Sequence, residues 1–221
     1  LHIDMAQVEG IFVSHEHSDH IAGLQQLLKR FDIPVYTKQG TWREIQDKLI
    51  VPKNRLIELT KGSLTLGSLI VEPFSVSHDA ADPIGINVFA GNNKATIVTD
   101  TGVISDNILR RIDDTTLLVL EANYDPHMLR FGPYQPFLKQ RVASDEGHLS
   151  NEMAAQALLM MKRPDFMQVI LAHRSENNNN AVLVTQTIGK MLVDGGVRIG
   201  PEMKLQHGQP NEIVSIQSVE R

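Results

Sequence analysis

Ser14-His15-Glu16-His17-Ser18-Asp19-His20 is the stretch on which the reading of this chain turns. Three imidazoles and the Asp19 carboxylate, beside Glu16, crowd into its last six positions. As core packing that would be costly, because each buried polar group needs a partner or water. The spacing suits metal instead. In an extended segment His15 and His17 point the same way, and Asp19 and His20, placed after the bend, can turn toward a second ion. With nine His in the chain, such an HxHxDH pattern arises by chance in on the order of one chain in a thousand. A solvated polar turn is the plain alternative.

The stretch lies between a strand and a helix. Residues 8–13 form a short apolar run, and Ile21, Leu24, Leu27, Leu28 and Phe31 fall at helical spacing, which predicts a helix over 21–31. A strand is expected at 34–37 and a helix at 41–49. From 55 to 77 the pattern turns to β, with Lys61-Gly62 and Gly67-Ser68 as turn signals. Residues 85–90 and 94–99 flank Gly91-Asn92-Asn93, a hairpin signature. Further on, 104–112 reads as helix, 116–121 as strand, and the stretch from there to 151 as irregular. Residues 151–162 read as a helix capped by Ser150; 167–172 as strand, 181–193 as helix, and 212–217 as a last strand. The mixture predicts sheet layers covered by helices in one domain over 1–221.

Composition narrows the chemistry. The 221 residues suffice for a sizeable core. No apolar run approaches the roughly 20 residues that cross a bilayer, so no membrane partner is expected. There is no cysteine, which leaves His, Asp and Glu to build any metal site and fits cytoplasmic residence. The net charge of −5 disfavours a protein that coats nucleic acid by electrostatics alone.

Six residues cannot complete two coordination shells. His78, Asp100 and His173 each close an apolar, strand-like run, and strand ends converge at one rim of a sheet, where α/β enzymes place their chemistry. Taken singly, each is as readily a surface or turn residue.

The order HxHxDH, a later His, an Asp in Thr99-Asp100-Thr101-Gly102 and a final His resembles the metallo-β-lactamase superfamily. Closer resemblance, carried by Ser77-His78-Asp79-Ala80, Glu121-Ala122-Asn123, Gly147-His148-Leu149-Ser150-Asn151 and Ser175-Glu176-Asn177-Asn178, is to its YycJ/WalJ-like branch, similar in turn to ribonuclease Z. The resemblance implies an αββα sandwich. It implies one metal on His15, His17 and His78, another on Asp19, His20 and His173, and Asp100 bridging them. It implies a DNA exonuclease acting from 5′ ends. Two departures stand out. Tyr124 sits where relatives tend to carry His, and the first motif comes almost at the start of the chain, so the usual N-terminal strands are expected to be missing.

The expected cofactors are two divalent ions, Zn²⁺ first and Mn²⁺ second, because an all-His/Asp shell suits both. The catalytic set is His148, Glu121 and Asp19: His148 protonates the leaving oxygen, with Glu121 behind it. Gly147 is expected to lend His148 flexibility. Ser175 and Asn177 are candidate substrate contacts. Arg130, Lys139, Arg141 and Arg174 are candidate phosphate partners, and Phe131, Tyr134 and Phe137 interleave with them as stacking surfaces for a single strand. Asp79 and Asp82 read as turn residues, and His2, His127 and His207 as structural or surface ones. Nucleic acid, DNA before RNA, is the expected partner. A hydrolase of small esters, thioesters or lactams, or a binding module on the same fold, stays open.

Overall fold

The computed structural model describes residues 3–60, 62–210 and 212–216. Two sheets face each other. The smaller is parallel, in the order β1 (Ile11–Phe12), β2 (Val35–Thr37), β3 (Leu56–Glu58). The larger has seven strands. β4 (Leu64–Leu66), β5 (Leu69–Ser75), β6 (Ile84–Ala90) and β7 (Asn93–Val98) run antiparallel; β8 (Leu117–Glu121), β9 (Met167–Ala172) and β10 (Met203–His207) continue it in parallel.

Alternation of side chains on neighbouring residues makes the layers. Val35 points outward and packs with Val13, Leu24, Leu28 and Ile45, under α2 (Leu24–Arg30) and α3 (Gln39–Ile45). Tyr36, the next residue, points inward and meets Leu59, Val71, Ile84 and Ile86, which joins the two sheets. On the far face Leu118, Leu120 and Val169 pack against α4 (Asp106–Ile112), α7 (Asn151–Met160) and α8 (Ala181–Asp194) through Ile108, Ile112, Leu158, Ile188 and Leu192. Helices, sheet, sheet, helices: the αββα sandwich is realised.

Several elements depart from the sequence reading. The helix expected over 21–31 is two, α1 (Ser18–Ile21) and α2, so Asp19 and His20 already sit on a helical turn. Residues 124–141 are not irregular. They hold α5 (Pro126–Phe131) and α6 (Pro136–Val142), each opened by Pro, whose fixed φ suits a first helical turn. The strand expected over 212–217 is absent: 212–216 pair with no sheet, and Gln217 lies outside the described residues, as do His2 and Lys61. The last strand is β10, where Lys204 and Gln206 alternate with the inward Met203 and Leu205. Ser150 does cap α7, its Oγ accepting the Met153 N–H at 3.2 Å. Among the described residues no helix is long and apolar enough to cross a membrane.

Leu120 sits in the middle of β8 with no exposed surface. Leu120→Ala is expected to cost about 3 kcal/mol in chemical denaturation, from lost burial plus the cavity left behind. A cost below about 1 kcal/mol would contradict this account of the core.

Candidate metal centre

The chemistry-bearing side chains collect at one rim because the strands that carry them end there. His15 and His17 follow β1, and Asp19 and His20 belong to α1. His78 follows β5, Asp100 follows β7, Glu121 ends β8 and His173 follows β9. All seven expected ligands meet. His15, His17 and His78 form one group with ligand atoms within 4.8 Å of one another, and Asp19, His20 and His173 form another. Asp100 stands between: its Oδ2 is 3.4 Å from His20 Nε2, while its Oδ1 is 3.4 Å from His173 Nε2 and 3.7 Å from His78 Nε2.

Hydrogen bonds at the back of the rings fix which nitrogen faces inward. His78 Nδ1 lies 3.0 Å from the Gly147 carbonyl, so it carries the proton and leaves Nε2 bare. Ser14 Oγ bridges His15 Nδ1 and His20 Nδ1, at 3.1 and 3.2 Å. His17 presents Nδ1, 3.3 Å from His78 Nε2. Burial, and next the neighbouring imidazoles, depress His15 to a pKa of about 3; burial likewise lowers His20 and His78. These rings are neutral at pH 7 with lone pairs free, the form in which imidazole binds metal. His15 Nε2 and Asp100 Oδ2 are buried without any hydrogen-bond partner. Such orphaned acceptors, pointed at one space from an all-N/O donor set, fit a divalent cation.

Behind this layer lies Glu121, wholly buried. Its Oε1 takes His148 Nδ1 at 2.7 Å and His173 Nδ1 at 2.8 Å, and its Oε2 accepts the Thr101 and Leu149 backbone N–H groups at 3.3 Å each. Burial alone would raise this carboxyl; the imidazole hydrogen bonds outweigh it and hold the pKa at about 2. Glu121 in turn acts on His173. Burial would lower it, but Asp19 and Glu121 push it up to about 10. Asp19, with Oδ2 3.8 Å from His173 Nε2, is held by that ring well below the carboxylate range. Asp100 and His173 both take left-handed backbone, at φ 58° and 52°. For residues with a Cβ this costs on the order of 1 kcal/mol each, strain typical of functional positions.

Two glycines let the loop over 143–148 close on the centre. A Cβ on Gly102 would strike the Ser144 carbonyl and the Asp145 backbone, and one on Gly147 would strike the Arg141 and Val142 carbonyls. Gly147 therefore serves close approach, not the flexibility expected of it, and its carbonyl orients His78. Other supports carried no signal in the sequence. Glu16 is buried and accepts the Ala81 N–H at 2.7 Å, tying the first motif to the His78 loop. Asn123 Nδ2 donates to the His173 carbonyl at 2.8 Å. Asp79 is more than a turn residue: it forms a two-pronged pair with Arg141 and lies 3.4 Å from His78 Nε2.

A cleft of about 1040 Å³ opens beside the centre, lined by Asp19, His148 and His173 together with Tyr134, Arg141 and Arg174. Ser175 and Asn177 line it too. Ser175 Oγ accepts from the Asn178 backbone at 3.1 Å, and Asn177 Nδ2 reaches the Tyr134 hydroxyl at 3.5 Å. Not all of the Asn run is solvated loop. Asn179 is buried and pairs with Asn151, and Asn180 caps α8. Tyr124 is buried with Leu129 and Val142. His127 stacks on Phe131 at the surface, and His207 bonds Thr185; neither approaches the centre.

Comparison with known proteins agrees with this geometry. The family described as Beta-lactamase superfamily domain matches residues 2–173. Exodeoxyribonuclease YycJ of Bacillus anthracis is 35% identical over 219 residues, covering 98% of this chain and 83% of that one. Exodeoxyribonuclease WalJ of Streptococcus pneumoniae is 31% identical over 209 residues, 92% of this chain and 77% of its own. The metallo-β-lactamase fold protein YhfI of Bacillus subtilis superposes with a TM-score of 0.68 at 16% identity, covering 93% of this chain and 78% of that one. Rim, donor set and sequence thus agree, and the chain belongs to the β-lactamase superfamily domain family, as a metal-dependent hydrolase of the metallo-β-lactamase fold.

Proposed function

We propose that the chain is a nuclease that hydrolyses DNA phosphodiesters from an end, using two divalent cations. The observation that carries the reading is the Glu121–His148 pair: an imidazole lining the cleft, 2.7 Å from a fully buried carboxylate. Relatives named as exodeoxyribonucleases over nearly the whole chain support the substrate. So does the cleft, whose volume of about 1040 Å³ lies at the upper end of small-molecule pockets. Cytoplasmic residence goes with that substrate.

In this reading His15, His17 and His78 would hold one ion and Asp19, His20 and His173 the other, with Asp100 as a ligand available between the two groups. Zn²⁺ suits the donors best, Mn²⁺ next. Bound there, the ions supply positive charge that activates a water and neutralises the attacked phosphoryl group. The chain's own residues do the rest. As the phosphorus–oxygen bond to the departing group breaks, that oxygen needs a proton. His148 gives it from Nε2, because Nδ1 is engaged by Glu121. Glu121 stays ionised across the working pH range, so a full negative charge holds the His148 ring in orientation. The same carboxylate fixes His173, coupling the proton donor to the ligand set. Asp19 lines the same cleft, and Ser175 and Asn177 offer contacts to the strand.

His148→Ala is expected to lower the rate on DNA about a hundredfold or more, with metal content by elemental analysis unchanged. An undiminished rate in a fully loaded variant removes His148 from the mechanism. Chelation is expected to abolish cleavage, and Zn²⁺ or Mn²⁺ to restore it. Digestion of end-labelled DNA and RNA beside small esters checks the substrate: mononucleotides released progressively from 5′-labelled DNA are expected. Preferential turnover of the esters would overturn the nuclease reading.

A further inference from the structure

The cations near the cleft differ in what holds them. Arg141 is committed to Asp79. Arg130 is exposed, over the Phe131 ring at 5.3 Å, and Lys139 bonds the Arg130 carbonyl at 2.8 Å. Arg174 is otherwise. It follows His173 directly, lines the cleft and is half-buried, yet forms no ion pair or hydrogen bond with a described residue. Its Nη1 is buried with no partner.

A half-buried guanidinium without a counter-charge is costly, and such positions are kept where the opposite charge arrives with a ligand. The acids of the cleft do not supply it. Asp19 faces His20 and His173, and Glu176 is exposed and forms no ion pair among the described residues. Next to Arg174, Ser175 Oγ accepts from the Asn178 backbone and side-chain amides at 3.1 and 3.4 Å, which leaves its own O–H to donate. A cation with a planar fork of donors, flanked by a hydroxyl and one residue from a proposed ligand, matches a phosphoryl group that is not the one being cleaved.

We propose that Arg174, with the Ser175 hydroxyl, forms a subsite for a second phosphoryl group of the substrate, beside the one attacked. The proposal rests on the nuclease reading. It makes Arg174 a specificity residue: it favours substrates that carry at least two phosphates in register over small mono-esters.

The test uses the metal-loaded full chain and short thymidine oligonucleotides with phosphorothioate links, one 5′-phosphorylated and one 5′-hydroxyl. Calorimetry compares wild type with Arg174→Met, which keeps the apolar stem, and Arg174→Lys, which keeps the charge without the fork. Arg174→Met is expected to weaken binding about tenfold or more, and Arg174→Lys less. Loss confined to the phosphorylated strand identifies the terminal phosphate as occupant, and equal loss on both identifies an internal one. Equal affinity of wild type and Arg174→Met overturns the proposal. So does a rate loss on bis(para-nitrophenyl) phosphate, which has one phosphoryl group, as large as that on oligonucleotides, since the effect then lies at His173. If the wild type binds neither oligonucleotide, the nuclease reading has failed, and inorganic phosphate decides the subsite by itself. Weaker phosphate binding by Arg174→Met then supports it, and equal binding overturns it.

Discussion

A carboxylate cut off from water must find its hydrogen bonds inside the protein, and Glu121 finds four, from three different parts of the chain. The His148 and His173 rings, the backbone after Asp100 and the backbone of Leu149 all converge on its two oxygens. Leaving any one donor out would strand part of a buried charge, which costs several times an ordinary hydrogen bond. The ends of β7, β8 and β9 and the start of α7 are thereby held in one relative position. The candidate ligands carried by those ends inherit that position without needing to touch one another.

The centre itself works against the fold. Imidazole lone pairs and carboxylates crowd one small volume, two of the residues adopt left-handed backbone, and buried acceptors lack partners. The rest of the molecule offsets this with apolar burial: Leu118, Leu120, Leu158 and Ile188 lie fully inside. Preorganisation of this kind lets a cation find its ligands already aimed, because burial has kept most of the rings unprotonated.

How much of this can be read from residues alone depends on the distance over which each feature is encoded. HxHxDH is legible because four groups fall within six positions, a density that ordinary packing does not explain. His78, Asp100 and His173 are legible as ends of apolar runs, but only their resemblance to a known order joins them to the first motif. The Asp79–Arg141 pair joins residues 62 positions apart and leaves no local trace. Gly147 shows why residue type alone misleads: the same missing side chain reads as freedom in the sequence and is close contact in the fold. The helices α5 and α6 were hidden because each is under two turns long, too short for periodicity to register. Their proline starts were the available sign.

Of those two helices α6 lines the cleft, through Leu138, Arg141 and Val142, and Tyr124, Leu129 and Val142 pack the pair in a small cluster separate from the main core. A segment that packs outside the main core can open locally without opening the strands beneath it. The architecture therefore separates two kinds of evolutionary change. Changes on α6 can reshape the cleft, while the rim that bears the candidate ligands is rooted in a different core.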